Sequence, residues 1–419
     1  MKDLQIVCHT NRLEDIFSEA SKDICLILEN CLKNQQPSLN NIEKLFLTKG
    51  KDRQVVLNFA DFLRNKVYGN NVTFVINRYI NFTNVCYMGC KFCGFAKRAN
   101  EPGADWLCFD EVVRRAKEAS ERGATEVCIQ GGLHPKLPGT YYREILIAIK
   151  KVLPKMHIHA FSPFEIWYGA KKSRMSYADF LEDLKECGLG SMPGTAAEIL
   201  DTKIRKKLTK NKLTTDQWIE IIKTAHRSGI PSTATIMYGH IDSPKEWAVH
   251  LDILRRIQVE TGGFTEFVPL SFVHYDSPLY LESPSRVRAG ATDNEIELMH
   301  AVARIVLHRL IDNIQVSWTK LGAEKARNLL SMGVNDLGGT LMNESISRAA
   351  GSKNGQEITE TEMVEMGWTA LIIPEEFNGL NFGYVGLGQI LEETGKNLCK
   401  SPLISSCLLS SSVINPVSY

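Results

Sequence analysis

The run Asn81-Phe82-Thr83-Asn84-Val85-Cys86-Tyr87-Met88-Gly89-Cys90-Lys91-Phe92-Cys93-Gly94-Phe95 places three cysteines at CxxxCxxC spacing on one short loop. Thiolates are soft ligands, and three of them suffice to hold three irons of a cubane 4Fe-4S cluster while the fourth iron stays open. The logic is that of a catalytic metal site, where a missing protein ligand separates a reactive metal from a structural one. An electron-transfer cluster would want a fourth cysteine. The next one, Cys108, lies beyond a charged stretch that contains Pro102 and Gly103. A structural zinc loop borrowing Cys108 or a histidine is the competing reading. A group of core cysteines fits less well, because Gly89, Lys91 and Gly94 do not read as a buried run.

With an aromatic, Phe92, before its last cysteine, this loop resembles the hallmark of radical S-adenosylmethionine enzymes. The resemblance implies that Cys86, Cys90 and Cys93 hold the cluster and that the methionine amine and carboxylate of S-adenosylmethionine chelate the open iron. One electron from the cluster then cleaves the cofactor to a 5'-deoxyadenosyl radical. It further implies that Phe92 lies near the adenine and that Gly131-Gly132 contacts the cofactor's amino group. Read without the resemblance, the glycine pair either brings backbone close to a ligand or makes a strand-to-loop turn, and Phe92 either packs or stacks.

The stretch from Asn77 to Cys86 resembles the segment entering the cluster loop in enzymes that build the deazaflavin FO and in futalosine-pathway enzymes of menaquinone synthesis. Gln130-Gly131-Gly132-Leu133-His134-Pro135, His159 to Glu165 and Pro193 to Leu200 are shared by that whole group. Two later blocks, Phe267 to His274 and Asn335 to Ser347, look most like the tyrosine-using branch of FO synthesis, and the resemblance is collinear over about residues 40 to 364. It implies that the radical takes a hydrogen atom from L-tyrosine, the Cα–Cβ bond breaks, and the 4-hydroxybenzyl group is joined to C5 of 5-amino-6-(D-ribitylamino)uracil. An external one-electron reductant is implied, as is a partner radical SAM subunit that closes the deazaflavin ring. A futalosine-pathway enzyme is the alternative within the group. A non-catalytic iron-sulfur or metal-binding module is the alternative of another class.

Composition is compatible with an intracellular enzyme. The 419 residues can bury one large core plus accessory elements, and 44% hydrophobic with 23% charged residues is ordinary globular usage. A net charge of +1 gives no electrostatic case for nucleic acid or an acidic membrane. No run reaches membrane-spanning length, and the N-terminus lacks the sustained apolar stretch of a signal peptide. Eleven cysteines without framework spacing argue for a reducing compartment, so cytoplasm is the expectation.

Residues 1–66 read as a helical prefix, in which Ile16, Ala20, Ile24, Leu28 and Cys31 recur at helical spacing and Ser38 precedes a second amphipathic run. From Val72 short apolar strands alternate with amphipathic helices, the pattern of repeated βα units and a parallel sheet. Strands are expected at 79–84, 126–130, 157–161, 189–192, 232–237, 264–270 and 314–317. The predicted fold over 67–364 is α/β, a (βα) barrel of six to eight parallel strands, with chemically suggestive residues at strand ends converging on one mouth.

Six polar residues in the matched blocks are candidates for substrate contact or catalysis: His134, Glu165, Glu198, His274, Asn343 and Glu344. Each could equally be a cap or a strand-end hydrogen bond, and Thr195-Ala196-Ala197-Glu198 also fits a capping box opening a helix. Cys8, Cys25, Cys31, Cys128 and Cys187 read as small core residues, so a second cluster is not expected, nor is a cobalamin module. His226, His250, His300 and His308 fall in helical runs. Residues 365–419 form a separate extension, in which Met366 to Leu380 and Gly383 to Gly395 resemble the N-terminal helical domain of an acyl-CoA dehydrogenase. The remaining domains of such an enzyme are missing, so no dehydrogenase activity is expected from it.

Overall fold

A computed structural model describes residues 4–5, 13–69 and 71–368. Cys8 and nearly all of the dehydrogenase-like extension lie outside the described residues.

Four helices, Leu13–Ser18, Lys22–Leu32, Leu39–Phe46 and Gly50–Tyr68, occupy the N-terminal region. Ser38 caps the third by accepting the Asn41 amide proton at 3.2 Å, satisfying a donor that the first helical turn leaves unpaired. That helix buries Ile42, Leu45 and Phe46, and the Phe46 ring meets Trp247 of helix Pro244–Thr261 edge-on at 5.3 Å. The fourth helix packs along Asp293–Leu307, and from its last turn the Tyr68 hydroxyl donates to Asn313 at 2.7 Å. The helical prefix therefore shares its core with the α/β body.

Among the described residues there are nine strands, in chain order β1 Leu4–Gln5, β2 Asn71–Val75, β3 Asn77–Asn81, β4 Glu126–Gln130, β5 His157–Ala160, β6 Ser232–Tyr238, β7 Phe264–Ser271, β8 Asn313–Ile314 and β9 Asp336–Gly339. They form three three-stranded sheets, ordered β1-β2-β9, β3-β4-β5 and β6-β7-β8. All pairings are parallel except β1 with β2. Isolated parallel bridges His159↔Ser191, Met192↔Ser232 and Gln315↔Asp336 connect the sheets. The result is an α/β domain of mostly parallel strands with helices between them.

Five of the expected strands start within two residues of their predicted positions, and the one expected at 314–317 is reduced to Asn313–Ile314. The one expected at 189–192 is present only as two bridges. Gly190 and Ser191 both donate to the Ile158 carbonyl, at 3.0 and 3.3 Å, so no regular ladder forms, and Pro193 follows without an amide proton to continue it. Strands β2 and β9 were not expected. The Asp-Leu-Gly-Gly sequence of β9 has little intrinsic strand preference and becomes a strand through pairing with β2.

Along the strands the faces divide by chemistry. Ile80, Val127, Ile129, Ile158, Ala160 and Ile236 are fully buried on the outer face, while the residues between them line a central cavity.

Candidate functional site

The cavity has a volume of about 690 Å³. At one end it meets the cysteine loop that follows β3. At the other it reaches Glu126, His157, Glu266 and Asp336, which lie at or next to the first residues of β4, β5, β7 and β9.

The cysteine loop is fixed by its backbone. The Cys86 amide donates to Lys97 O at 3.0 Å, Lys91 to Leu208 O at 3.0 Å, and Leu279 to Lys91 O at 2.7 Å. Gly89, at φ 68°, supplies the left-handed residue the turn requires. Cys86, Cys90 and Cys93 are free thiols, and all three line the cavity. Burial raises the Cys90 thiol and pushes Cys93 up to about 11, so a bound metal must displace their protons. Among the described residues no three His, Cys, Asp or Glu side chains converge on a single ion position. A cubane asks for something else, thiolates spaced so that each binds a separate iron. Three soft thiols on one pinned loop facing one cavity fit that demand.

Beside the loop, Phe92 lines the cavity and the Lys212 ammonium sits 5.0 Å from its ring centroid. Lys212 is ion-paired with Glu198. Burial alone would lower the Lys212 pKa, but Glu198 and Cys90 hold it above the usual value. Glu198 opens no helix: it has φ 48°, and the next helix begins at Thr202 with Asp201 as its cap. The capping-box alternative is therefore corrected, since Thr195 instead donates its hydroxyl proton to Gln130 at 3.1 Å.

Gly131 and Gly132 line the cavity at the end of β4. A Cβ on Gly131 would stand 2.5 Å from the Phe82 ring, and one on Gly132 would collide with the Val85 carbonyl. Close packing against the cysteine loop thus requires glycine at both positions. The Gly131 amide donates to Glu165 Oε1 at 3.0 Å. Glu165 also closes the capping box of helix Pro163–Ser173, its Oε2 accepting the Ser162 amide at 2.7 Å and hydroxyl at 2.6 Å. Burial raises its pKa to about 7. Glu344 lines the cavity while accepting amide protons from Ile346 and Ser347, each at 2.9 Å.

Three candidates fall outside the lining. His134 stacks on Trp106 with ring centroids 4.6 Å apart and accepts the Lys136 amide proton at 3.1 Å. His274 lies between Tyr275 and Tyr280, at 4.2 and 4.7 Å. Asn343 occupies a left-handed position, φ 67°.

The cavity also gathers polar residues that motif reading passed over: Asn77 and Tyr79 on β3, Glu126, Cys128 and Gln130 on β4, His157 and His159 on β5, and Glu266, Gln315 and Asp336 beyond. Gln130 donates to the Tyr79 hydroxyl at 3.0 Å, and Asn77 to Glu126 at 3.0 Å. Cys128 is buried, as expected of a core residue, and also forms part of the cavity wall, its thiol 3.3 Å from Glu126. The available signal was polarity at every second strand position. At the floor, burial and mutual repulsion raise Glu266 and Asp336, the latter to about 6.

Comparison with known proteins agrees with this geometry. Residues 80–254 match the family model of the Radical SAM superfamily, and residues 261–372 that of the CofH/MqnC C-terminal region. The chain is 51% identical over 321 residues to the 5-amino-6-(D-ribitylamino)uracil--L-tyrosine 4-hydroxyphenyl transferase of Methanocaldococcus jannaschii, covering 76% of this chain and 89% of that protein. It is 53% identical over 315 residues to the FO synthase of Mycobacterium leprae, covering 75% of this chain but only 36% of that one. The chain thus spans about a third of the length of the FO synthases it matches. Among solved structures, the hydrogenase maturase HydG from Carboxydothermus hydrogenoformans superposes with a TM-score of 0.63 at 16% identity, covering 85% of this chain and 80% of that one. Methylornithine synthase PylB does so at 0.57 and 17%, covering 81% and 91%. These two likenesses concern the fold. The chain belongs to the radical SAM superfamily, whose members use a 4Fe-4S cluster and S-adenosylmethionine, and it carries a C-terminal region of the CofH/MqnC type.

Proposed function

We propose that this protein is the tyrosine-using transferase of FO biosynthesis, which cleaves L-tyrosine and joins its 4-hydroxybenzyl group to 5-amino-6-(D-ribitylamino)uracil. The observation that carries this reading is 51% identity over 321 residues, covering 89% of the Methanocaldococcus jannaschii transferase. Relatives named for FO synthesis at 51–53% identity favour this reading over the futalosine-pathway alternative.

Cys86, Cys90 and Cys93 would hold the cluster, with Phe92 and the backbone of Gly131 and Gly132 facing S-adenosylmethionine. When bound there, the cofactors would supply one-electron radical chemistry. The chain's own residues position and shield. Glu165 fixes the Gly131 amide, so the backbone facing the cofactor has one orientation. The Lys212–Glu198 pair places a cation next to Phe92, suited to a carboxylate. Toward the floor, Glu126, Glu266, Asp336 and Gln315 offer acceptors for the amino and hydroxyl groups of the two substrates. A pKa raised to about 6 lets Asp336 exchange a proton near neutral pH, and burial raises Glu266 beside it. Walls of Val268, Leu270 and Leu337 keep water from the reacting centre.

We read the parallel strands as a barrel around this cavity, with residues 1–66 as its helical prefix, 67–364 as the catalytic body and 365–419 as an extension without its own activity. A cytoplasmic setting, an external reductant and a second radical SAM subunit that closes the ring belong to the same reading. No helix among the described residues is long and apolar enough to cross a membrane.

The test is anaerobic incubation of cluster-reconstituted protein with dithionite, S-adenosylmethionine, labelled tyrosine and the ribityl uracil. The expected outcome is 5'-deoxyadenosine that depends on tyrosine, and a product whose mass equals the uracil plus the labelled hydroxybenzyl group. Deoxyadenosine formation indifferent to both substrates would overturn the reading.

A further inference from the structure

One surface feature has no part in the cavity. Between Thr202 and Lys212, six of eleven residues are Lys or Arg and none is acidic, in a chain whose net charge is only +1. Two of the six are committed inward. Arg205 is buried and donates to the Leu213 and Ala196 carbonyls, and Lys212 pairs with Glu198. The other four, Lys203, Lys206, Lys207 and Lys210, are exposed and make no hydrogen bond or ion pair among the described residues.

Exposed lysines of this kind add little to stability, and packed together they repel one another. Their location gives them a use. The helix that carries the first three, Thr202–Leu208, ends against the cysteine loop, where its Leu208 carbonyl accepts the amide proton of Lys91, the residue beside Cys90. Arg205 and Lys212 of the same segment lie within electrostatic reach of the Cys90 sulfur. On the far side of the loop the exposed Arg98 donates to the Cys86 carbonyl at 3.2 Å. The strip and Arg98 are thus each hydrogen-bonded into the backbone of the cysteine loop, the strip through Leu208 and Lys91 and Arg98 through Cys86.

We propose that the strip Lys203, Lys206, Lys207 and Lys210, together with Arg98, is the docking surface for an acidic one-electron carrier protein that reduces the cluster. One electron leaves the reduced centre of the carrier and enters the cluster, and no proton or group moves with it. Complementary charge speeds such encounters and orients the partner, and its effect fades as salt screens it. The inference rests on the cluster assignment to Cys86, Cys90 and Cys93 and is independent of which substrate the cavity takes.

The test compares the cluster-reconstituted wild type with K203E/K206E/K207E/K210E and with a control, K22E/K33E/K44E/K49E, that reverses the same number of charges on the N-terminal helices. Probes are an acidic ferredoxin and an acidic flavodoxin, with association followed by biolayer interferometry at low and high ionic strength. The strip variant should associate about tenfold or more slowly with at least one carrier at low salt, with the difference shrinking at high salt, and the control should behave as wild type. Its iron content and its dithionite-driven deoxyadenosine formation should be unchanged. That chemical assay reports on the cluster and substrates, so it separates a failure of this surface from a failure of the proposed function. Equal loss in strip and control variants, no carrier binding to wild type, or tighter retention of a single-stranded RNA oligomer than of either carrier would each overturn the proposal.

Discussion

The two ends of the cavity differ in every chemical respect. At the loop end three soft thiols share space with a buried cation, Lys212, whose charge is held by Glu198. At the floor burial raises Glu266 and Asp336, and the nearby Glu126 carboxylate adds to the effect on both. The loop end suits iron and an anionic group. The floor suits hydrogen-bond donors, and its carboxyls keep protons that isolated carboxylates would lose. One continuous cavity can therefore present a redox centre and a polar substrate pocket without either disturbing the other, because distance along the strands separates them.

The sharpest way to break this contrast is Cys90→Ala. Loss of one thiolate should abolish both the reduced 4Fe-4S paramagnetic resonance signal and deoxyadenosine formation, and retained turnover would remove the loop end from the chemistry. Next in size is Lys212→Met, which leaves the Glu198 carboxylate buried without its partner; unfolding in denaturant should show a loss of about 3–5 kcal/mol. Adding Glu198→Gln should restore part of it, and a double variant no better than the single would show that the ion pair is not the cause.

The floor predicts a pH effect with a definite sign. Because burial raises Asp336 to about 6, folding favours its protonated form. That contribution is complete below the ordinary Asp range, near pH ~4, and is lost as pH rises through about 6. Asp336→Asn has no such loss, so its unfolding free energy relative to wild type should climb between pH 4 and 7, by an amount on the order of 3 kcal/mol at most. A flat difference would mean that Asp336 titrates normally. Smaller still, Gly131→Ala should cost about 1–3 kcal/mol by driving a methyl group into Phe82, read from the same unfolding curves. Last comes His134→Phe, away from the cavity, which should lose about 1 kcal/mol with the hydrogen bond to Lys136 and leave turnover unchanged. A tenfold drop in turnover would bring His134 into the site.

Much of this was legible before any coordinates. The CxxxCxxC loop, the order of strands and helices, and the membership of Glu165, Glu198, Gly131 and Gly132 in one cavity followed from local spacing and from blocks placed after strands. What reading along the chain misplaced was chemistry that depends on neighbours distant in sequence. His134 and His274 lie in matched blocks, yet one stacks on Trp106 and the other between two tyrosines. Cys128 is buried as a core residue should be, yet it shares the cavity-facing side of its strand with Glu126 and meets Asn77 across the sheet.

By itself, then, the sequence determined the CxxxCxxC spacing and the α/β pattern, since both are written in spacings a short peptide already contains. Only the tertiary structure decided which alternate strand positions share a cavity, that Lys212 finds Glu198 beside the thiols, and that Glu266 and Asp336 meet at the floor although 70 residues separate them. Register between parallel strands settles those meetings, and register is fixed by pairing and packing across the whole sheet rather than by any local run of residues.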